Sequence, residues 1–319
     1  MSSSARRRRF LLVLVVGALV LRIGSASDVR AQPAASASAR ERLRALETAT
    51  SPQRAQALEV LLADRSEALA AFRAALASGD ATERRLAAEA LGETRDRGSI
   101  DLLLGATADE DRLVRRQAVL SLRKIGDPVA LPRMRALVVP DQERGLLKAA
   151  LVGLGELGTS QDAPRVRPYL RHGDETVRVT AAGALAMLGS DEGLDVLLAG
   201  TSSDDPAAVK NATYALGWIR DPASRSRIEE ILGDPTAPWR SQAAMALALQ
   251  DLKGADEFDR AARMGELARG RDRQVAAWAL SELVRSPAPE ATEEARRLAN
   301  GRGRTARAAQ RRLALVGGR

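Results

Sequence analysis

The 319-residue sequence has no cysteine, one histidine and only 3% aromatic residues. Without thiols there can be no cysteine nucleophile, no cysteine–metal site and no disulfide framework, so an oxidising compartment is permitted but not demanded. A lone histidine rules out a His-rich dimetal site. That residue, His172, lies in the turn Arg171-His172-Gly173-Asp174 and reads as a solvated turn residue. No Gly-rich phosphate loop, Ser-His-Asp set or nucleophile elbow is present. The residues therefore predict no catalytic group, no metal ligand and no cofactor. Acidic pairs such as Asp109-Glu110-Asp111, Asp174-Glu175 and Asp204-Asp205 each stand just before a helix, where they read as N-caps and first-turn acids.

Net positive charge is also missing from the body of the chain. The formal charge is +8, but residues 1–31 hold six arginines and one acid, and residues 296–319 hold eight arginines and none. The stretch between them is net acidic, which argues against a nucleic-acid partner, since that needs a basic stripe along the binding surface. Arginine at the C-terminal end has a plain use. The last unit of a stack has no neighbour and needs a polar outer face, which Arg307, Arg311 and Arg312 would supply.

What the chain does have is alanine at a fixed period. Ala87, Ala118, Ala150, Ala181, Ala212, Ala243, Ala276 and Ala309 are separated by 31, 32, 31, 31, 31, 33 and 33 residues. Self-similarity at this spacing signals stacked supersecondary units. With the alanine as position 5, positions 1, 5, 8, 9 and 12 are apolar in most copies. They form one stripe of ~120° on a helix of about 14 residues. A small side chain at the centre of the stripe lets neighbouring helices approach closely. A second, shorter helix precedes each of these, starting at Asp127-Pro128, at Asp221-Pro222 or at Ser99. Gly126, Gly158 and Gly189 follow the long helices, where left-handed C-caps are expected. No segment of the repeat region reads as a strand. Asn211-Ala212-Thr213 matches a glycosylation triplet, but its centre lies in the buried stripe, so it is discarded.

Three features together resemble the HEAT-repeat family, in the short form also found in phycobilin lyases. They are the Val-Arg entry to the long helix, its alanine, and the Leu-Gly-x-x-Gly-Asp exit, best seen at Val114 to Asp127, Val177 to Gly189 and Leu216 to Asp221. The resemblance implies an all-α, right-handed solenoid of about eight to nine hairpins. The best repeats span 66–316, a weaker first hairpin spans 40–64, and an Arg-rich cap spans 296–319. Members of this family are mostly protein-interaction scaffolds. The expectation is therefore a non-enzymatic scaffold that binds a protein or peptide. A lyase-like or DNA-glycosylase-like enzyme of the same fold is the alternative, set aside because lyase chemistry is cytoplasmic and the N-terminus points elsewhere.

At that N-terminus, Arg6 to Arg9 precede an apolar run from Phe10 to Leu21, and Val29-Arg30-Ala31 follows. These are the parts of a secretory signal peptide, with cleavage expected after Ala31 and a small-residue linker over 32–39. The expected location is periplasmic or extracellular. The alternative is an inner-membrane anchor over residues 10–23, although the run is shorter than the ~20 residues a spanning helix needs.

Positions 7 and 11 of the long helix lie opposite the buried stripe. In the middle of the stack these rows become apolar and aromatic at Met187, Tyr214, Trp218, Met245, Leu249 and Trp278. Three of the chain's five Trp and Tyr residues meet there, which nominates a concave partner-binding groove about 30 Å long; the alternatives are a tightly curved solenoid in which these side chains pack against their neighbours, and a small-molecule pocket.

Overall fold

The computed structural model describes residues 65–316, so the expected signal peptide, linker and 40–64 hairpin lie outside the described residues. Within this range the chain forms sixteen α-helices and no strand. They pair into eight hairpins: α1 (Arg65–Ser78) with α2 (Ala81–Glu93), α3 (Ile100–Ala106) with α4 (Arg112–Ile125), α5 (Leu131–Leu137) with α6 (Arg144–Leu157), and α7 (Ala163–Val166) with α8 (Glu175–Met187). The second half continues with α9 (Leu194–Gly200) and α10 (Pro206–Ala215), then α11 (Pro222–Gly233) and α12 (Arg240–Leu252). It ends with α13 (Glu257–Arg269) and α14 (Arg273–Arg285), then α15 (Pro289–Ala299) and α16 (Arg304–Val316).

The even-numbered helices carry the alanine ladder, and each packs on the next along the stack. Seven of the eight ladder alanines are 0% exposed, and Ala276 is 9% exposed. Leu122, Leu185 and Leu216 on the same stripe are equally enclosed. Small residues leave little side-chain volume per unit, so the core forms only by stacking. Ala181 on α8 belongs to one continuous apolar cluster with Leu147, Leu151 and Leu154 of α6. Ala181→Phe should overpack this contact and cost ~1–3 kcal/mol in chemical denaturation. Unchanged unfolding would mean that α8 can rotate away from α6.

Local chemistry sets the helix ends. The Asp111 carboxylate accepts from Leu113 N at 2.8 Å and Val114 N at 3.1 Å, and Asp205 accepts from Ala207 N at 2.8 Å. Gly126 and Gly189 take φ of 73° and 86°, as left-handed caps require. Gly158 does not. Its backbone is extended, because the chain passes straight into a Thr159–Asp162 capping box. Ser99 donates to the Asp96 carbonyl rather than capping α3. The first helices are not uniformly short either. They span four to seven residues in α3, α5, α7 and α9, but eleven or more in α1, α11, α13 and α15. Pro168 falls just after α7 and has no N–H to continue its ladder, whereas Pro132 and Pro164 stand in the first turn of α5 and α7, where a missing donor is tolerated.

Carboxylates that tie one repeat to the next are held ionised. Asp162, almost fully buried, accepts two bonds from Arg135 at 2.7 and 3.0 Å, and this guanidinium holds its carboxyl below the usual range. Asp174 is lowered by the Thr176 hydroxyl and by Arg144, against the opposing effect of burial. A depressed folded-state pKa contributes stability above the unfolded value near ~4, and that stability is lost as pH falls through the folded value. Melting temperature should therefore drop steeply below pH ~4. Asp162→Asn should be less stable at neutral pH and show a flatter acid limb. A parallel acid limb would remove Asp162 from this account.

The stack bends until its described ends touch. Arg65 donates to the Leu315 carbonyl at 2.8 Å, and Arg95 donates to the Val284 carbonyl at 2.9 Å. Leu315 packs against the apolar cluster of the first repeats. The inner face is therefore a closed surface, where an open groove was expected. Bending follows from the thin side chains of the ladder helices, which let the inner helices crowd together.

Candidate functional site

Two cavities bear on the nominated row and on the ring closure. The apolar one, about 550 Å³, is walled by Met187 at the end of α8, Trp218 in the 3-10 turn after α10, and Leu249 and Leu252 of α12. Met264 of α13 and Leu283 of α14 complete the apolar wall, while Lys253, Arg260, Glu282 and Arg285 add charge at its margin. The Trp218 indole N–H is buried with no acceptor. Such a donor is expensive to leave unmatched, at ~1–3 kcal/mol. Trp218 is placed by Gly217, whose backbone lies directly against Ala246 of α12.

Of the six residues nominated by sequence, Met187, Trp218 and Leu249 line this cavity together. Tyr214, Met245 and Trp278 are not among its lining residues. Trp278 Nε1 donates to the Tyr214 hydroxyl at 3.3 Å, and burial pushes the Tyr214 phenol up to about 12. Met245 is 7% exposed and packed away. The row thus splits into a cavity wall and a packed aromatic pair.

Leu252, Leu283, Met264 and Arg285 were missed. Leu283 and Leu252 sit on or beside the buried stripe, and Met264 belongs to a first helix, so reading two rows of the long helix could not find them. Arg312, expected on an outer cap, instead lines a second, charged cavity inside the closure, while Arg307 and Arg311 are exposed as expected. His172 Nδ1 accepts from Asp174 N at 3.0 Å, a turn-closing role. Among the described residues no group of His, Cys, Asp and Glu is arranged to hold a metal, and no helix is long and apolar enough to cross a membrane.

Antiparallel helix pairs stacked on an alanine ladder define an α-solenoid repeat protein. The chain belongs to the HEAT-repeat family, whose profile matches residues 69–155, 136–212 and 163–248, more than half of the sequence. It is 33% identical over 123 residues to the bilin biosynthesis protein PecE of Mastigocladus laminosus, covering 38% of this chain and 45% of that one. It is 28% identical over 116 residues to the phycocyanobilin lyase subunit alpha of Picosynechococcus sp., covering 33% and 43%. The chain thus spans about half the length of the curated relatives it matches. The solved complex of CpcE and CpcF of phycocyanin lyase from Nostoc sp. PCC7120 shares the fold, with a TM-score of 0.51 and 22% identity over 75% of this chain and 94% of that one.

These relatives overturn the expectation of a non-enzymatic scaffold. They are named for bilin biosynthesis and for a lyase. The expectation rested on the family being mostly scaffolds and on the lack of a recognisable catalytic set, and that lack excludes only mechanisms in which the protein itself supplies such a set. The lyase alternative, set aside on compartment grounds, is the one the relatives favour.

Proposed function

We propose that the chain is a bilin-lyase-type component that binds an open-chain tetrapyrrole in the apolar cavity and acts on it with a protein partner. The observation that carries this reading is the apolar cavity itself, with Trp218 in its wall beside Met187, Leu249 and Met264. The indole ring offers a flat apolar face to a conjugated ligand. The cavity volume is within the range of small-molecule sites. Met187 and Met264 supply adaptable, polarisable walls, and Arg260 and Arg285 suit the acidic arms of such a ligand. The bilin names of the relatives supply the ligand class. With no cysteine in the chain, a thiol that joins or leaves the ligand has to come from the partner.

Trp218, Trp239 and Trp278 are the three tryptophans, so a Trp239→Phe, Trp278→Phe background leaves Trp218 as the sole indole. Titration with biliverdin should quench its fluorescence saturably at a one-to-one ratio. Linear, non-saturating quenching would sink the reading. Export is a separate proposal, supported by the basic and apolar stretches of residues 6–21. Periplasmic protein expressed in a Gram-negative host should begin at Gln32, whereas an intact Met1 chain in the membrane pellet would favour the anchor.

A further inference from the structure

The charged cavity at the ring closure holds more positive charge than it neutralises. It measures about 330 Å³ and lies where α2, α4 and α6 face α14 and α16. Arg95, Arg123, Lys124, Arg285 and Arg312 contribute to its wall. Among the described residues three carboxylates join them: Glu93, Glu156 and Glu282. Each of these is already engaged. Lys124 meets Glu93 at 2.5 Å, Arg123 meets Glu156 at 2.8 Å, and Arg285 meets Glu282 at 2.7 Å and Glu156 at 3.7 Å. Arg95 reaches across the closure to the Val284 carbonyl.

Among the described residues Arg312 has no comparable ion pair. Burial pushes its guanidinium below the usual arginine range, and the carboxylate that opposes this is Glu93, already paired with Lys124. Arg123 meets Glu156 through one terminal nitrogen, and since its Nε has no access to the cavity it would reach an anion through its terminal nitrogens. Unmatched cationic donors in a confined space are unfavourable until an anion enters.

We infer that this cavity binds a small multivalent oxyanion, a phosphate or carboxylate compound, through Arg312 and Arg123. Planar guanidinium groups present paired donors that match the oxygens of either class. The volume is at the lower end of ligand pockets, so it suits a compact polyanion. Arg123 belongs to the second described hairpin and Arg312 to the last. An anion held by both would therefore fasten the two ends of the ring. The inference does not rest on the tetrapyrrole reading, since Trp218 is not part of this wall.

The test is isothermal titration of the folded chain with inorganic pyrophosphate and, separately, with citrate, both at matched ionic strength in chloride. Saturable one-to-one binding of at least one probe is expected, and the better probe identifies the phosphate or carboxylate class. Arg312→Gln should weaken it by about tenfold or more, the loss expected for one charge-assisted donor. Arg312→Lys should fall between the two, and Trp218→Ala should leave the affinity unchanged even if biliverdin binding fails. Should Arg312→Gln not fold, Arg123→Lys replaces it under the same criterion. No saturable heat with either probe, or equal affinity in wild type and variant, overturns the site.

Discussion

Gly217→Val is expected to destabilise the chain by at least the ~3 kcal/mol that marks the upper end of overpacking costs. Gly217 lies in the 3-10 turn that follows α10, on the ladder side of its hairpin. A Cβ added there would sit 2.6 Å from the Ala246 Cα and 2.7 Å from its carbonyl oxygen. Both obstacles are backbone atoms of α12, so no rotamer change can relieve the collision, and a β-branched side chain adds two further carbons. The same displacement would move Trp218, the next residue, away from the cavity. Gly105→Ala is the contrasting control. No atom lies within 4 Å of its added Cβ, and the residue is in α3. Replacing a helical glycine without steric cost should stabilise by ~0.5–1 kcal/mol. Equilibrium denaturation of both variants decides the matter. Equal and small changes would mean that α10 and α12 are not in backbone contact.

The repeat was legible because a solenoid writes its core in one dimension. Each unit must bury the same stripe against the next, so Ala118, Ala181 and Ala243 recur at one position and all are fully enclosed. The caps were legible for the same local reason, as Asp111, Asp174 and Asp205 show. Curvature was not. It sums small rotations over eight hairpins, and no single residue encodes it. The contact of Arg65 with Leu315 joins positions 250 apart in sequence. The nominated inner row was read first as a groove, with tight curvature as its alternative. Met187, Trp218 and Leu249 wall a cavity instead, while Tyr214 and Trp278 face each other. Arg312 failed for the same reason, because an outer cap and an inner wall look alike until the ring closes.

Trp218 should separate ligand binding from stability in a way that no core residue would. Trp218→Ala removes the largest face of the cavity wall, and loss of an anchor of this kind costs ~2 kcal/mol or more, so biliverdin affinity should fall by roughly 30-fold or more. Trp218→Phe is the milder variant. It keeps a six-membered aromatic face and loses the rest of the indole, including an N–H that is buried and without an acceptor. Losing the unsatisfied donor removes a penalty while the smaller ring leaves space, so the two effects oppose each other and the melting temperature should change little. Because the indole N–H does not open on the cavity, biliverdin affinity should stay within about threefold of wild type, the aromatic face being what the ligand meets. A Trp218→Ala variant that binds biliverdin as tightly as wild type would leave the cavity without its proposed ligand contact.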